Sequence, residues 1–212
     1  MGACAFDLAH YRELLESGHD YAWAIFDDEP RAGDLFLRHD VDLSLDAALA
    51  MARIEQELGV RATYLLMTES RFYNLGSRAG RDAIAELRQL DHAIGLHAVY
   101  PNAPLDERFD PVFSWHNPDP EYMSEPVAGA VNVMQSPWFK PGHYRSDSNQ
   151  HWREGCPHDE LASGAIEWLQ LLVHPEIWVY EGTTMRETMD AMLEAKRNEW
   201  VDALIDDRID MT

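Results

Sequence analysis

Two carboxylates close a short apolar run in the segment Leu35-Phe36-Leu37-Arg38-His39-Asp40-Val41-Asp42. An apolar run that ends in charge reads as a buried strand reaching a sheet edge. Side chains alternate across a strand, so Asp40 and Asp42 share one face and His39 takes the other. Their spacing, roughly 6.5 Å from the rise per residue, leaves two like charges facing one space. A metal ion or a shared proton relieves that repulsion, and both point to hydrolytic chemistry. The plainer reading is a solvated loop start, with Ser44 capping the helix that follows.

Three histidines fall where other apolar runs stop: His97 after Ala93-Ile94-Gly95-Leu96, His116 after Phe113-Ser114-Trp115, and His174 after Leu171-Leu172-Val173. One such histidine is ordinarily a structural group. Three of them with an Asp-x-Asp supply a first shell for zinc, namely two His and one Asp with a position left for water. His-Glu-x-x-His, Gly-x-Ser-x-Gly and a phosphate loop are all absent.

The elements around these residues alternate. Helices are expected over 7–17, 44–58 and 81–90, with strands over 35–40, 60–67 and 93–99. Shorter strands are expected at 112–115 and 131–134 within a proline-rich region, and a last buried strand at 169–173. Thr184-x-x-Glu187 is a capping box opening a helix to about 205, with Met189, Leu193 and Trp200 toward the core. Strand–helix alternation of this length implies parallel βαβ units with the site at the strands' carboxyl ends. No repeat or linker divides the chain, so 1–212 is read as one domain.

Composition narrows the function. The 212 residues carry a formal charge of −21, which excludes binding nucleic acid through a broad basic surface. Only Lys140 and Lys196 among the 17 basic residues are lysines, a balance that suits a high-salt cytoplasm and equally a GC-rich genome. No segment offers the roughly 20 apolar residues of a membrane span. Met1 to Asp7 lacks the basic and apolar regions of a secretory signal, and the expected location is the cytoplasm. Cys4 and Cys156 have no Cys-x-x-Cys spacing; a disulfide between them is possible and not required.

Four segments in order carry a family resemblance: Arg38-His39-Asp40-Val41-Asp42, Arg61-Ala62-Thr63-Tyr64-Leu65-Leu66, His92-Ala93-Ile94-Gly95-Leu96-His97 and Leu172-Val173-His174-Pro175. They resemble the ordered motifs of the NodB-type polysaccharide deacetylases, carbohydrate esterase family four, over about residues 34–180. Ser114-Trp115-His116-Asn117-Pro118 and Ser146-Asp147-Ser148 with Trp152 resemble a branch among surface-polysaccharide biosynthesis proteins. The resemblance implies an α/β fold, a single-domain, distorted and incomplete (β/α) barrel. It implies Asp40 as catalytic base, Asp42 and His97 as ligands of one divalent metal, expected to be zinc, and His174 as general acid. The family's second metal histidine usually stands four residues after the first, where this chain has Pro101; His116 is the expected replacement. Trp115, Trp138 and Trp152 are expected to stack on a sugar, Asp147 to orient His174, and Lys140 to bind substrate, in a loose echo of the family's arginine motif. The expected activity is removal of N-acetyl groups from a carbohydrate. The alternatives are hydrolysis of a cyclic imide or ureide on the same fold, and an inactive domain binding a carbohydrate or a partner.

Overall fold

A computed structural model describes residues 4–101 and 105–209, so Met1 to Ala3 of the N-terminal segment lie outside the described residues. Eight strands form one sheet: β1 (Ala22–Ala24), β2 (Asp34–Val41), β3 (Thr63–Leu66), β4 (Ala93–Ala98), β5 (Val112–Trp115), β6 (Val131–Asn132), β7 (Tyr144–Ser146) and β8 (Leu169–Val173). Seven run in the order β6-β5-β4-β3-β2-β8-β7 and curl into a half-barrel. Every pairing is parallel. β1 and β3 share one edge of β2, pairing with its first and second halves, while β8 takes the other edge. β2 is therefore the central strand, and its side chains alternate between two buried environments.

The helices are α1 (Leu8–Ser17), α2 (Leu45–Glu57), α3 (Arg78–Gln89), α4 (His158–Ala162), α5 (Pro175–Val179) and α6 (Met185–Asp206). Their ends follow local chemistry. Asp7 and Ser44 accept backbone N–H groups of His10 and Ala47, satisfying first-turn donors that have no partner inside the helix. Ser77 does the same for α3 and starts it at Arg78, earlier than the expected 81. At α6, Thr184 accepts from Glu187 N–H, and the Glu187 carboxylate takes the N–H of Thr183. β1, β7 and the short helices α4 and α5 have no counterpart in the sequence reading.

Leu35, Leu37 and Val41 of β2 join the main core against α1 and α2, with Tyr11, Leu14, Ala48 and Met51. Phe36 faces the other way and packs with Phe26, Leu65, Val112, Val133 and Trp168. Above that apolar floor the same face carries Arg38, Asp40 and Asp42 in succession. The half-barrel thus grades from a hydrophobic bottom to a charged mouth.

One expected core face does not form. Leu193 and Trp200 of α6 are 58% and 67% exposed, and the buried positions are Thr188 and Met192. Two polar anchors set this rotation: the Thr188 hydroxyl donates to Gln150, and Lys196 pairs with Asp46 at the start of α2. No helix among the described residues is long and apolar enough to cross a membrane.

β4 comes close to β3 and β5 because Gly95 has no side chain. A Cβ there would lie 2.5 Å from both Val112 Cγ1 and the Val112 carbonyl oxygen and 2.6 Å from Leu65 Cδ2. Gly95→Ala should destabilise the fold by about 1–3 kcal/mol, the usual cost of overpacking. A lower urea midpoint with an unchanged slope would show it; an unchanged midpoint would mean that the strands separate freely.

Candidate metal centre

The carboxyl ends of β2, β4 and β5 deliver three side chains to one point. Asp42 Oδ1 lies 3.0 Å from His97 Nε2 and 3.1 Å from His116 Nδ1, and the two nitrogens are 3.1 Å apart. Tetrahedral zinc with bonds of about 2.0–2.1 Å would separate its ligand atoms by about 3.3 Å. The triangle therefore has nearly the size of one face of such a site.

Asp42 Oδ1 also tests whether an ion fits. It is buried and accepts no well-aligned hydrogen bond, despite the two nearby nitrogens. The two ring nitrogens lie within hydrogen-bond distance of each other and beside the oxygen without pairing with it. One carboxylate and two imidazoles are the donor types zinc and related divalent ions take.

Supporting contacts fix these three residues. His97 Nδ1 lies 2.7 Å from the Ser114 hydroxyl, which leaves Nε2 for the centre. Ser114 Oγ is in turn 3.4 Å from Asp40 Oδ1. The backbone N–H of His116 donates to Ala98 O, so β5 stays in register with β4 one residue beyond the ladder. Asn117 then adopts φ of 43° and turns the chain away, a conformation that asparagine tolerates better than most residues. Tyr73 pins the end of β2: its hydroxyl donates to Val41 O and accepts the Met67 N–H, each at 2.7 Å.

Asp40 is held differently. Arg38 donates to it twice, from Nε at 2.8 Å and from Nη2 at 2.6 Å, and both side chains are buried. Burial alone would raise the Asp40 carboxyl, but the Arg38 charge prevails and holds it below its ordinary value. Arg38 is a functional residue that sequence reasoning missed, although it stands inside the motif itself. Asp42 also lies well below its ordinary value; burial opposes the shift, and its contacts with His116 and His97 outweigh it. His116 is raised by the same contact with Asp42.

His174, at the end of β8, lines the same space. Asp147 Oδ1 lies 2.6 Å from His174 Nδ1, while Asp147 Oδ2 accepts the His174 N–H and the Trp178 indole N–H. Desolvation pulls the imidazole down, but the Asp147 charge and hydrogen bond overcome it and hold His174 at about 10. Next to it Glu176 is buried with Oε2 unpaired, and burial pushes its carboxyl up to about 8. No sequence pattern marked Glu176.

The cluster opens onto two connected spaces. A pocket of about 200 Å³ holds Arg38, Asp40, His97 and Tyr144, and a cleft of about 610 Å³ is lined by Glu69, Phe72, Val99 and Glu176. Asp42, His116, Asn117, Ser148 and His174 line both.

The expected aromatic rim is corrected. Trp152 is 8% exposed and stacks on Phe6 in the core. Trp115 lines the small pocket edge-on to Tyr100 with its indole N–H given to Glu125 O, and is itself buried. Trp138 packs edge-on against Phe26 in the floor. Lys140 is on the surface and lines neither space. The aromatic residue that does project into the cleft is Phe72, 60% exposed. A lone Phe in a polar loop gave no periodic signal by which to find it.

Compared with protein-family models, curated proteins and solved structures, the chain finds no match.

Zinc added to metal-free protein should bind at the Asp42, His97 and His116 cluster and raise the melting temperature. At 100 times its dissociation constant a ligand contributes about 2.7 kcal/mol. Ser114→Ala should weaken binding about 10- to 100-fold, the range for residues that orient a metal-bound histidine. Zinc stoichiometry and affinity both unchanged in Asp42→Asn, measured by calorimetry, would disprove the centre.

Proposed function

We propose that this protein is a metal-dependent amide hydrolase that removes N-acetyl groups from a sugar or polysaccharide precursor. The observation that carries the reading is the convergence of the Asp42, His97 and His116 triangle, the Arg38-bound Asp40 and the Asp147-bound His174 on one pocket. The resemblance to the NodB-type deacetylases and their incomplete barrel assigns roles to Asp40, Asp42, His97 and His174 among them.

A divalent ion held by Asp42, His97 and His116 would polarise the amide carbonyl and acidify a water. Asp40, ionised throughout the neutral range, accepts that water's proton. Arg38 keeps the carboxylate charged and fixes its plane, while Ser114 sits between it and His97. His174 stands with Nδ1 toward Asp147, which leaves the Nε2 proton for the departing amine nitrogen. The amine needs that proton because an unprotonated amide nitrogen is a poor leaving group.

The two spaces match a two-part substrate. A pocket of about 200 Å³ suits a group the size of acetyl, and the open cleft of about 610 Å³ suits a sugar ring. Phe72 offers that ring an apolar face on which to stack. A small cyclic imide would leave most of such a cleft unfilled, so the openness favours a carbohydrate.

Asp40→Asn should reduce deacetylation of an N-acetylated sugar by at least about 10²–10⁴ and leave zinc bound. It should also cost about 3–5 kcal/mol in stability, because it strands the buried Arg38 charge. Turnover must therefore be scaled to the folded fraction. Equal loss of zinc from Asp40→Asn and Asp42→Asn would instead make Asp40 a ligand.

His174 gives the reading its pH signature. Its folded value is raised, so its contribution to stability is fully present below about 6.5 and is lost as pH rises through about 10. Catalysis by the protonated form should fall on the same alkaline limb. Asp147→Asn should move that limb toward neutrality, and His174→Ala should cut amide turnover about 10²–10⁴ while sparing an ester substrate. A pH–rate profile with the same alkaline limb in wild type and Asp147→Asn would remove His174 as the acid.

A further inference from the structure

A second cluster of ligating side chains lies away from the cleft, where the chain before α1 meets the start of α4. Cys4 Sγ, His10 Nε2 and Cys156 Sγ all lie within 4.8 Å of one another. His10 Nε2 is 3.4 Å from Cys156 Sγ. With zinc–sulfur bonds of about 2.3 Å and zinc–nitrogen bonds of about 2.0–2.1 Å, tetrahedral geometry puts nitrogen and sulfur about 3.5 Å apart.

The surroundings hold the donors in this orientation. His10 Nδ1 is 3.4 Å from Glu13 Oε2 one turn along α1, the kind of carboxylate contact that orients a metal-bound histidine and frees its other nitrogen. The His10 ring stacks on Trp178 at 6.2 Å and 19°. A pocket of about 730 Å³ gives access, lined by Cys4, His10, Cys156, His158 and Asp159.

We propose that Cys4, His10 and Cys156 form a second divalent-metal site of the thiolate type, selective for zinc, with its fourth position open to water or to the His158 imidazole. Two thiolates and an imidazole favour zinc over magnesium, calcium or manganese, which prefer oxygen donors. Binding displaces the thiol protons to solvent as the two sulfur–metal bonds form. The ion would tie residues 4–10 to residues 156–158 across a separation of 146 positions between His10 and Cys156. The role is structural, and it is independent of the chemistry assigned to the cleft.

Cobalt(II) added to the reduced, metal-free full chain reads the two sites apart, because only this one supplies sulfur. Wild-type protein should take up two cobalt ions and show a thiolate-to-cobalt charge-transfer band in the near ultraviolet. Cys4→Ser and Cys156→Ser should each lose that band and one ion. His97→Ala should lose the other ion and keep the band, so failure of the cleft centre is distinguishable from failure of this one. Wild-type protein that binds cobalt without the band overturns the proposal. So does intact mass showing a Cys4–Cys156 disulfide that persists in protein purified under reducing conditions.

Discussion

Burying two carboxylates at the end of one central strand constrains everything near the mouth of this half-barrel. An ionised carboxylate taken from water costs several kcal/mol unless a charge and hydrogen bonds replace its solvation. Asp40 obtains both from Arg38, two residues earlier on the same face of β2. Arg38 in turn donates to Gln170 on β8, and Gln170 donates to the carbonyls of Val133 and Trp138. This polar layer crosses the barrel above the apolar floor and ties its two sides together. Asp42, one step further out, has no such cation. It has two imidazoles at hydrogen-bond distance and an oxygen without an aligned donor. The strand meets its inner acid with its own arginine and its outer acid with the imidazoles at the ends of β4 and β5.

The opposite face of β2 is organised by the same rule with a different answer. His39 points among the helices, stacks on Tyr64 at 4.1 Å and meets Glu55 of α2 at 2.7 Å. Tyr11 and Tyr64 both donate to that carboxylate. Burial would raise Glu55, but the His39 charge and these donors hold it below its ordinary value. Two hydroxyl groups and an imidazole thus tie α1, α2, β2 and β3 together around one buried charge. Removing a single partner from such a network costs more than the network contributes as a whole, because it leaves a charge unpaired. The rigidity of β2 that the site requires has its source on the face away from the site.

Alternation along β2, the strand–helix rhythm and the three histidines at strand ends were legible because each is a local, periodic signal. The opposed directions of His39 and Asp40 follow from strand geometry alone. Other features depend on contacts between distant segments. Trp152 and Phe72 both lie in polar stretches, and only the tertiary structure shows that the first packs under Phe6 and the second stands in the cleft. The face of α6 was misread because its rotation follows Thr188 and Lys196, two polar residues whose partners are 38 and 150 positions away. Gly80, just outside the helix expected over 81–90, lies within α3, where a Cβ would sit 2.2 Å from Asn74 O. Close approach gives the same residue type as a turn does, so sequence alone cannot tell them apart. Glu55 and Glu176 look like surface acids because acidic residues are seldom buried.

His174 shows how a strand end can be held in one orientation. Pro175 fixes the backbone just after it and begins α5 at once, at the position where a missing N–H costs least. Asp147 then binds the His174 backbone, the His174 ring and the Trp178 indole together. Trp178 is fully buried against Tyr11 and Phe6. The imidazole is therefore referenced to the core through one carboxylate, and its free nitrogen has little choice of direction. Asp147 also favours the protonated imidazole, so one residue sets both its orientation and its charge. The Asp42, His97 and His116 triangle depends on the ends of β2, β4 and β5, whereas this unit depends on β7, β8 and α5. The two adjoin through the pairing of β2 with β8 and face each other across the pocket.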